Sequence, residues 1–381
     1  MSELINKEDS TYFGMTKEDL FYRIDIGLIR DKEDRGRCFP SDSDGQFDYM
    51  LYITLLMVAN TEREFYTTIN ILAKKMGYKP KSGVGKINDK INKSLERLMK
   101  KYCLIEYGEE DKIIFGRIIL HKNEESFFKL KRVDINIILD NPFLKLTQND
   151  YSCKYKDKAK ALYVYSYILS MMGTHNTTEA TIEWHGCFPS IDTIAKECNV
   201  SINYLLKILA YFEYDSLIYT TNIGKVKNAD GTVCMAGNYY TNDKTYLSSS
   251  YIYARAYYDN NNCTYSKYIK HTKHLLDEIS ELLDESFKKL NDKEVVCFKE
   301  HYGLMLTDTI YKFTNLYPGI NKLRFDEYMK NSSYLRSTFF NGKQRTSLSF
   351  IADNELASIP LLTHIKNKIK AMMYLYEIKT T

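Results

Sequence analysis

The sequence predicts a mainly α-helical protein with small β-hairpins, that is, an α+β fold. Two similar pairs of short helices form an internal repeat, a hairpin pattern follows each pair, and the last third of the chain carries long amphipathic stretches. The 381 residues are 44% hydrophobic and 27% charged, which is an ordinary globular balance. That balance excludes disorder throughout the chain, and the length allows two or three domains.

The repeat relates residues 68–77 to residues 190–199. Each copy begins with a hydroxyl side chain, Thr68 or Ser190, which is typical of a helix N-cap. Each continues with an Ile-x-x-(Leu/Ile)-Ala core and ends on Gly or Asn, residues that tolerate the left-handed backbone of a tight turn. The pattern predicts two helix-turn-helix units.

Other elements complete both copies. A second helix follows each turn, over 87–102 and over 202–214, where Ser201 is the expected N-cap. An apolar helix precedes each pair, over 49–58 and 158–172. Helix, helix, turn, helix and hairpin is the winged-helix order. The hairpins are predicted as strands 104–107 and 113–121 around a turn at 108–112, and as strand 217–222 returning near 239–240 after a turn over 224–232.

Charge is concentrated in the first copy. Residues 49–122 carry 14 basic and 8 acidic side chains, a net charge of +6, whereas residues 1–48 have a net charge of −5 and the whole chain +4. A local excess of this kind is the expected electrostatic footprint for phosphate. The predicted organisation is an acidic N-terminal arm (1–48), a basic first winged-helix domain (49–122), a connector (123–150), a second winged-helix domain (151–245) and a helical C-terminal region (246–381).

The helix over 87–102 carries an apolar stripe and, displaced by about 100°, a stripe of cations that would neutralise several phosphates. Asn88 and Asn92 lie beside it, and an amide side chain can pair with adenine. The first copy also has nine extra residues between its helices, which predict a mobile basic loop around 79–86. The alternative is a solvated lysine face without a partner.

The helix over 202–214 exposes a polar but barely charged face. Two interpretations stay open: a face that reads bases with few phosphate contacts, or a protein-docking face. In the second hairpin Lys225 and Lys227 suit phosphate, whereas the first hairpin has an acidic tip. The predicted DNA-binding residues are Lys79, Lys81, Lys86, Asn88, Lys90, Asn92, Lys93 and Arg97 in the first domain, and Ser201, Asn203, Tyr204, Lys207, Lys225 and Lys227 in the second.

The C-terminal region is predicted to form helices over 264–290, 297–316 and 359–378, with a less clear basic stretch over 336–345. In the last helix Lys366, Lys368 and Lys370 could add a DNA contact, but the pattern favours a solvated face.

The sequence argues against an enzyme. Residues 81–86 resemble part of a phosphate-binding loop, but Pro80 replaces its first glycine and Ile87 the magnesium-binding hydroxyl. The seven histidines are scattered, and neither His-x-His nor His-x-x-Arg occurs, so we expect no metal and no cofactor. The dispersed cysteines and the absence of a long apolar stretch or secretory signal predict a cytoplasmic protein without a membrane partner.

The second copy resembles tandem winged-helix replication initiators of plasmids and mobile elements from low-GC Gram-positive bacteria. The residues that carry the resemblance are 162–168 (LYVYSYI), 188–198 (FPSIDTIAKEC), 200–203 (VSIN), 217–219 (LIY) and 238–240 (NYY). The resemblance implies that both winged helices bind repeated sites in double-stranded DNA at an origin, and that the protein distorts the duplex and recruits host replication proteins. It also implies that the protein has no nuclease activity.

The alternative hypothesis is a dimeric transcriptional regulator or partition factor. Such a protein would bind an inverted repeat as a homodimer through its C-terminal helices. A third interpretation is an adaptor that mainly binds protein, with the first winged helix holding DNA non-specifically.

Overall fold

The computed structural model describes residues 20–30, 37–119, 126–139, 155–176, 183–265, 268–314 and 355–378. It confirms a mainly helical fold with small antiparallel sheets. The chain divides into two compact units, the first from residues 1–170 with 194–200 and the second from residues 171–193 with 201–381. This division runs through the predicted second domain, and the predicted basic stretch over 336–345 lies outside the described residues.

The described part of the first unit contains five helices and five strands. A sixth helix, α6, begins in the second unit and ends in the first. They are β1 (Phe21–Asp25), α1 (Ser43–Val58), β2 (Glu64–Thr67), α2 (Ile69–Lys75), α3 (Ile87–Lys100), β3 (Ile105–Glu110), β4 (Ile113–Ile118), β5 (Phe127–Lys131), α4 (Arg132–Leu139), α5 (Lys158–Met171) and α6 (Ile191–Glu197).

Helix α1 begins six residues before the predicted start at residue 49. Asp42 is its N-cap and its side chain accepts a hydrogen bond from Gly45 N at 2.7 Å. Only glycine fits at position 45, because a Cβ there would lie 2.2 Å from the carbonyl oxygen of Pro40. The helix is buried on almost all sides, as its apolar sequence requires.

Strands β2, β4 and β3 form a three-stranded antiparallel sheet in that spatial order. The predicted hairpin is confirmed, but its turn is tighter than expected. Only Asp111 and Lys112 connect the strands, both with positive φ (50° and 67°), as a two-residue type I′ turn requires.

The segments predicted as an arm and a connector meet in this unit. Strand β1 pairs antiparallel with β5, from Phe21 opposite Lys131 to Asp25 opposite Phe127. Phe39 is fully buried and its carbonyl oxygen accepts a hydrogen bond from the Tyr163 hydroxyl of α5 at 2.9 Å. Residues of the acidic segment therefore contribute to the core of the first unit.

The described part of the second unit adds five complete helices and short strands. They are β6 (Gly173–Asn176), β7 (Glu183–Gly186), α7 (Ile202–Tyr214), β8 (Tyr219–Thr221), β9 (Lys225–Lys227), β10 (Val233–Met235), β11 (Tyr239–Thr241), α8 (Leu247–Asn260), β12 (Thr264–Tyr265), α9 (Tyr268–Lys289), α10 (Asp292–Thr314) and α11 (Glu355–Leu375).

Helix α11 is central to the second unit, where it packs against α7, α8, α9 and α10. The second hairpin is confirmed by the pairing of β8 with β11, and the segment between them forms a further pair, β9 with β10, which β12 extends. The only tryptophan of the chain, Trp184, is fully buried in the core of this unit. No helix in the described ranges has the length and apolarity needed to cross a membrane.

Candidate nucleic-acid interface

Helix α2, a turn and helix α3 present the candidate surface of the first unit. The Thr68 hydroxyl caps α2 by accepting a hydrogen bond from Ile71 N at 3.2 Å, and Gly77 turns the chain with φ of +73°. The predicted apolar stripe of α3 is confirmed at Ile91, Leu95 and Leu98, each at most 1% exposed. Burial of this stripe leaves the opposite face of α3 to solvent.

The loop before α3 is anchored, which differs from the expected mobile loop. Lys81 N donates to Asn88 Oδ1 at 3.2 Å, and Asn88 N donates to the Lys81 carbonyl at 3.2 Å. The Asn88 amide also donates to Asn70 Oδ1 at 3.1 Å. Asn88 therefore holds the loop on the first turn of α3, and we withdraw it as a base-reading residue because its amide already has partners.

Four lysines on this loop and helix share one property. Lys79, Lys81, Lys86 and Lys90 are exposed, and none forms an ion pair with any other described residue. Asn92 is also exposed. We call Lys79, Lys81, Lys86 and Lys90 the lysine patch.

Lys93 is less free than these four. Its ammonium lies 2.9 Å from Asp89, whose carboxylate also accepts a hydrogen bond from Gly85 N at 2.8 Å. The hydrogen bond from Lys93 lowers the pKa of Asp89. Lys93 remains 58% exposed, so a phosphate could still compete with Asp89 for it.

Arg97 has a structural role. Its Nε and one terminal nitrogen each lie 2.7 Å from the carboxylate of Asp48, which is completely buried on α1. A bidentate pair of this kind joins α3 to α1. The prediction that Arg97 binds phosphate is therefore corrected, because its guanidinium neutralises a buried carboxylate.

Helix α7 occupies the equivalent place in the second copy. Ser201 caps it by accepting a hydrogen bond from Tyr204 N at 3.3 Å, as predicted. Asn203 is exposed and Tyr204 is half-buried. The Lys207 ammonium lies 5.7 Å from the ring centre of Tyr211 and 5.4 Å from that of Tyr374, which holds it on the protein surface.

The second hairpin presents the last two predicted residues. Lys225 and Lys227 are exposed on β9, and Val226 between them is buried, so the strand alternates as a half-buried strand should. Their cross-strand neighbours Met235 and Val233 are also exposed. The two lysines therefore stand beside apolar side chains.

The expected solvated face of the last helix is wrong for Lys368. This side chain is buried, and its ammonium donates to Thr309 Oγ1 on α10 at 3.0 Å. Burial lowers the pKa of Lys368 to about 8. Lys366 pairs with Glu278 of α9 at 3.1 Å. The partner of Lys368 is 59 residues away in the sequence and that of Lys366 is 88 residues away, so local sequence patterns do not predict either contact.

Comparison with protein-family models, with curated proteins and with solved structures finds no match for this chain. Within the described ranges, no group of three His, Cys, Asp or Glu side chains is arranged to hold a metal ion.

Proposed function

We propose that this protein binds double-stranded DNA and that its first unit acts as a winged helix with α3 as the recognition helix. The support is the order α1, β2, α2, α3, β3, β4 together with the sheet order β2-β4-β3. The observation that carries the proposal is the lysine patch on the loop and first turns of α3, which has no carboxylate partner among the described residues.

The lysine patch supplies affinity rather than sequence choice. Each phosphate that it neutralises contributes about 0.9 to the slope of log affinity against log salt, so four contacts give a slope of roughly −3.6. Asn92, exposed on the same helix, is the side chain that we propose reads a base edge. Lys93 adds a phosphate contact at the cost of its bond to Asp89.

For the second unit we propose a smaller contribution to affinity. Ser201, Asn203 and Tyr204 present hydrogen-bonding groups at the start of α7, whereas Lys207 rests on two aromatic rings. Lys225 and Lys227 are the cations of this unit that we propose reach phosphate. This arrangement fits a helix that recognises bases while making few phosphate contacts.

The finer role that we propose is that of a replication initiator that binds direct repeats at an origin and recruits host replication proteins. Its support is the resemblance in residues 162–240 and the presence of two helix-turn-helix copies in one chain. A monomer with two such copies suits direct repeats one or two helical turns apart.

Salt-dependent binding to a labelled duplex tests the DNA proposal. We expect Lys86→Ala with Lys90→Ala to weaken binding to every sequence by roughly tenfold or more near 0.1 M salt and to reduce the salt slope by about 1.8. The matched control is Lys100→Ala on the same helix, because Lys100 lies 3.8 Å from Glu96 at the far end. Equal binding by the double variant and the control would refute the lysine patch as the DNA contact.

A footprint on the DNA that flanks the gene tests the finer role, at about 0.15 M salt so that non-specific binding is suppressed. Protection of several direct repeats is the expected result. Protection of one palindrome over the promoter would instead favour the dimeric regulator or partition factor. An absence of any protection would favour the adaptor.

A further inference from the structure

The second unit contains a cleft of about 520 Å³ between α11, α9, α7 and strand β9. Leu206 and Leu209 of α7 and Leu275 of α9 give the cleft an apolar lining, to which Tyr374 of α11 adds an aromatic ring. A cleft of this size and lining accommodates a small organic ligand. The DNA proposal uses one of its lining residues, Lys225, and gives the others no role.

One face of α11 supplies the polar side of the cleft. Thr363, Lys366 and Lys370 are spaced i, i+3 and i+7, so they project on the same side of the helix, and all three line the cleft. His271 and His274 of α9 line it as well.

The cations of this cleft outnumber its available carboxylates. Glu278 pairs with Lys366 at 3.1 Å, and Glu285 pairs with Lys289 four residues further along α9. Lys370 is half-buried and forms no hydrogen bond or ion pair in the described part of the chain. A half-buried cation without a partner is unfavourable, so an anion bound beside Lys370 would be stabilised.

A second polar group in the cleft is also without a partner. The Thr363 side chain is 4% exposed, and its hydroxyl is buried with no hydrogen bond. Buried polar groups in folded proteins are almost always hydrogen-bonded, so this hydroxyl keeps an unused hydrogen-bonding capacity at a residue that lines the cleft.

Positive charge lowers the pKa of two groups that line the cleft. Burial and the charge of Lys366 lower the pKa of Lys370. Burial, Lys366 and His274 lower the pKa of His271 to about 4, so its imidazole is neutral at pH 7 and offers a hydrogen bond without a charge. An anion between α9 and α11 would oppose the effect of Lys366 on both groups.

We propose that this cleft binds a small phosphate-bearing molecule of about nucleotide size, with Lys366 and Lys370 holding the phosphate and the Thr363 hydroxyl donating to it. Two ammonium groups and a hydroxyl match the several acceptor oxygens and the charge of a phosphate better than a single carboxylate. The apolar wall then covers the body of the ligand.

Calorimetric titration of the full chain tests this, with pyrophosphate, AMP and unphosphorylated adenosine as probes. We expect saturable binding of pyrophosphate and AMP, and binding of adenosine weaker by roughly tenfold or more. Lys370→Gln should weaken AMP binding by about tenfold and Thr363→Val by roughly threefold. The matched control is Lys273→Gln, an exposed lysine of α9 that does not line the cleft.

Folding of the variants is checked without ligand. Because Lys370 has no partner among the described residues, Lys370→Gln should melt at or above the temperature of the unmodified protein. A loss of AMP binding would then report the site and not unfolding. The proposal is overturned if neither pyrophosphate nor AMP binds at about 5 mM, or if Lys273→Gln weakens binding as much as Lys370→Gln.

Two further binding measurements distinguish this site from the proposed DNA surface. The variant with Lys86→Ala and Lys90→Ala should bind AMP as the unmodified protein does, whatever its DNA affinity. Displacement of AMP by a short duplex at far lower concentration than by pyrophosphate would overturn the small-molecule proposal, because the cleft would then be a DNA contact.

Discussion

Helices α3 and α7 take equivalent places in the sequence repeat, but they differ in what surrounds them. Both begin after a turn that follows a capped short helix, and both bury an apolar stripe. Lys90 in α3 corresponds to Asn203 in α7, and Arg97 to Ala210. A shared local pattern therefore fixes the motif, whereas the charge of each exposed face is set separately.

The two helices also differ in how a buried carboxylate connects them to a neighbouring helix. In the first unit Arg97 of α3 pairs with the buried Asp48 of α1. In the second unit the buried acid, Glu213, lies on α7 itself, 3.0 Å from His364 Nδ1 and within hydrogen-bonding distance of Thr220. Each unit therefore has its own polar connection between helices.

The largest expected effect comes from breaking the first of these connections. Asp48→Asn removes the charge that Arg97 neutralises, and we expect it to lower the free energy of unfolding of the first unit by about 3 kcal/mol. Denaturation followed by circular dichroism measures the loss. A loss of less than about 1 kcal/mol, as expected for an exposed pair, would contradict a buried one.

The contact made by Glu213 should make the stability of the protein depend on pH. Burial raises the pKa of Glu213 from 4.5 to about 8, so its protonated form favours the folded state. The contribution is complete below the unfolded pKa of 4.5 and is lost as pH rises towards 8. Relative to Glu213→Gln, which keeps the shape without titrating, the unmodified protein should lose roughly 5 °C in Tm between about pH 5 and pH 8.

Trp184 fluorescence follows this transition, because Trp184 lies in the core of the same unit. The comparison with Glu213→Gln cancels contributions from outside this contact, such as that of His301, whose pKa is lowered by burial. His364 lies 3.0 Å from Glu213, so its titration is part of the measured difference. A difference in Tm that does not change with pH would show that Glu213 does not titrate in this window.

A smaller and equal effect is expected at the two caps. Thr68 and Ser190, the equivalent caps of α2 and α6, accept backbone hydrogen bonds at 3.2 and 3.0 Å, so Thr68→Ala and Ser190→Ala should each cost about 1 kcal/mol. Denaturation followed by circular dichroism measures both. Costs that differ by more than about 1 kcal/mol would break the equivalence of the two copies.

The smallest effect is expected at Lys207. Because its ammonium already rests on Tyr211 and Tyr374, Lys207→Gln should change non-specific DNA affinity by less than about twofold. The double variant Asn203→Ala with Tyr204→Ala should instead reduce the ratio of specific to non-specific affinity. If Lys207→Gln weakened binding as strongly as Lys90→Ala alone, then α7 would contact phosphate in the way that we propose for α3.

Local patterns predicted the elements well. The predicted start at Ile202 and end at Tyr214 match α7, and Ser201 is its cap. The apolar stripe of α3 is buried as expected. These features depend on residues within three or four positions of each other, which is why caps, turns and stripes are readable from the sequence.

Site residues were harder to predict because their partners are distant. Arg97 carries the same spacing as Lys90 and Lys93 on α3, and only Asp48, 49 residues away, makes it structural. From the sequence, Asn88 looks like an amide that could contact a base. In the structure its side-chain oxygen accepts a hydrogen bond from Lys81 N of the loop. The cleft gave no signal, since Lys366 and Lys370 look like an ordinary solvated face without the packing of α9 beside them.

The sequence by itself determined most helices, the caps Thr68, Ser190 and Ser201, the pairing of both hairpins and the concentration of positive charge in residues 49–122, because each follows from short-range preference or from simple summation of charge. It did not predict α4 or α8. Only the tertiary structure decided which cations are free. Lys86 and Lys90 remain exposed, whereas Arg97 and Lys368 are paired or buried. The physical reason is that desolvation and pairing depend on groups brought together by packing, and a linear pattern does not contain that information.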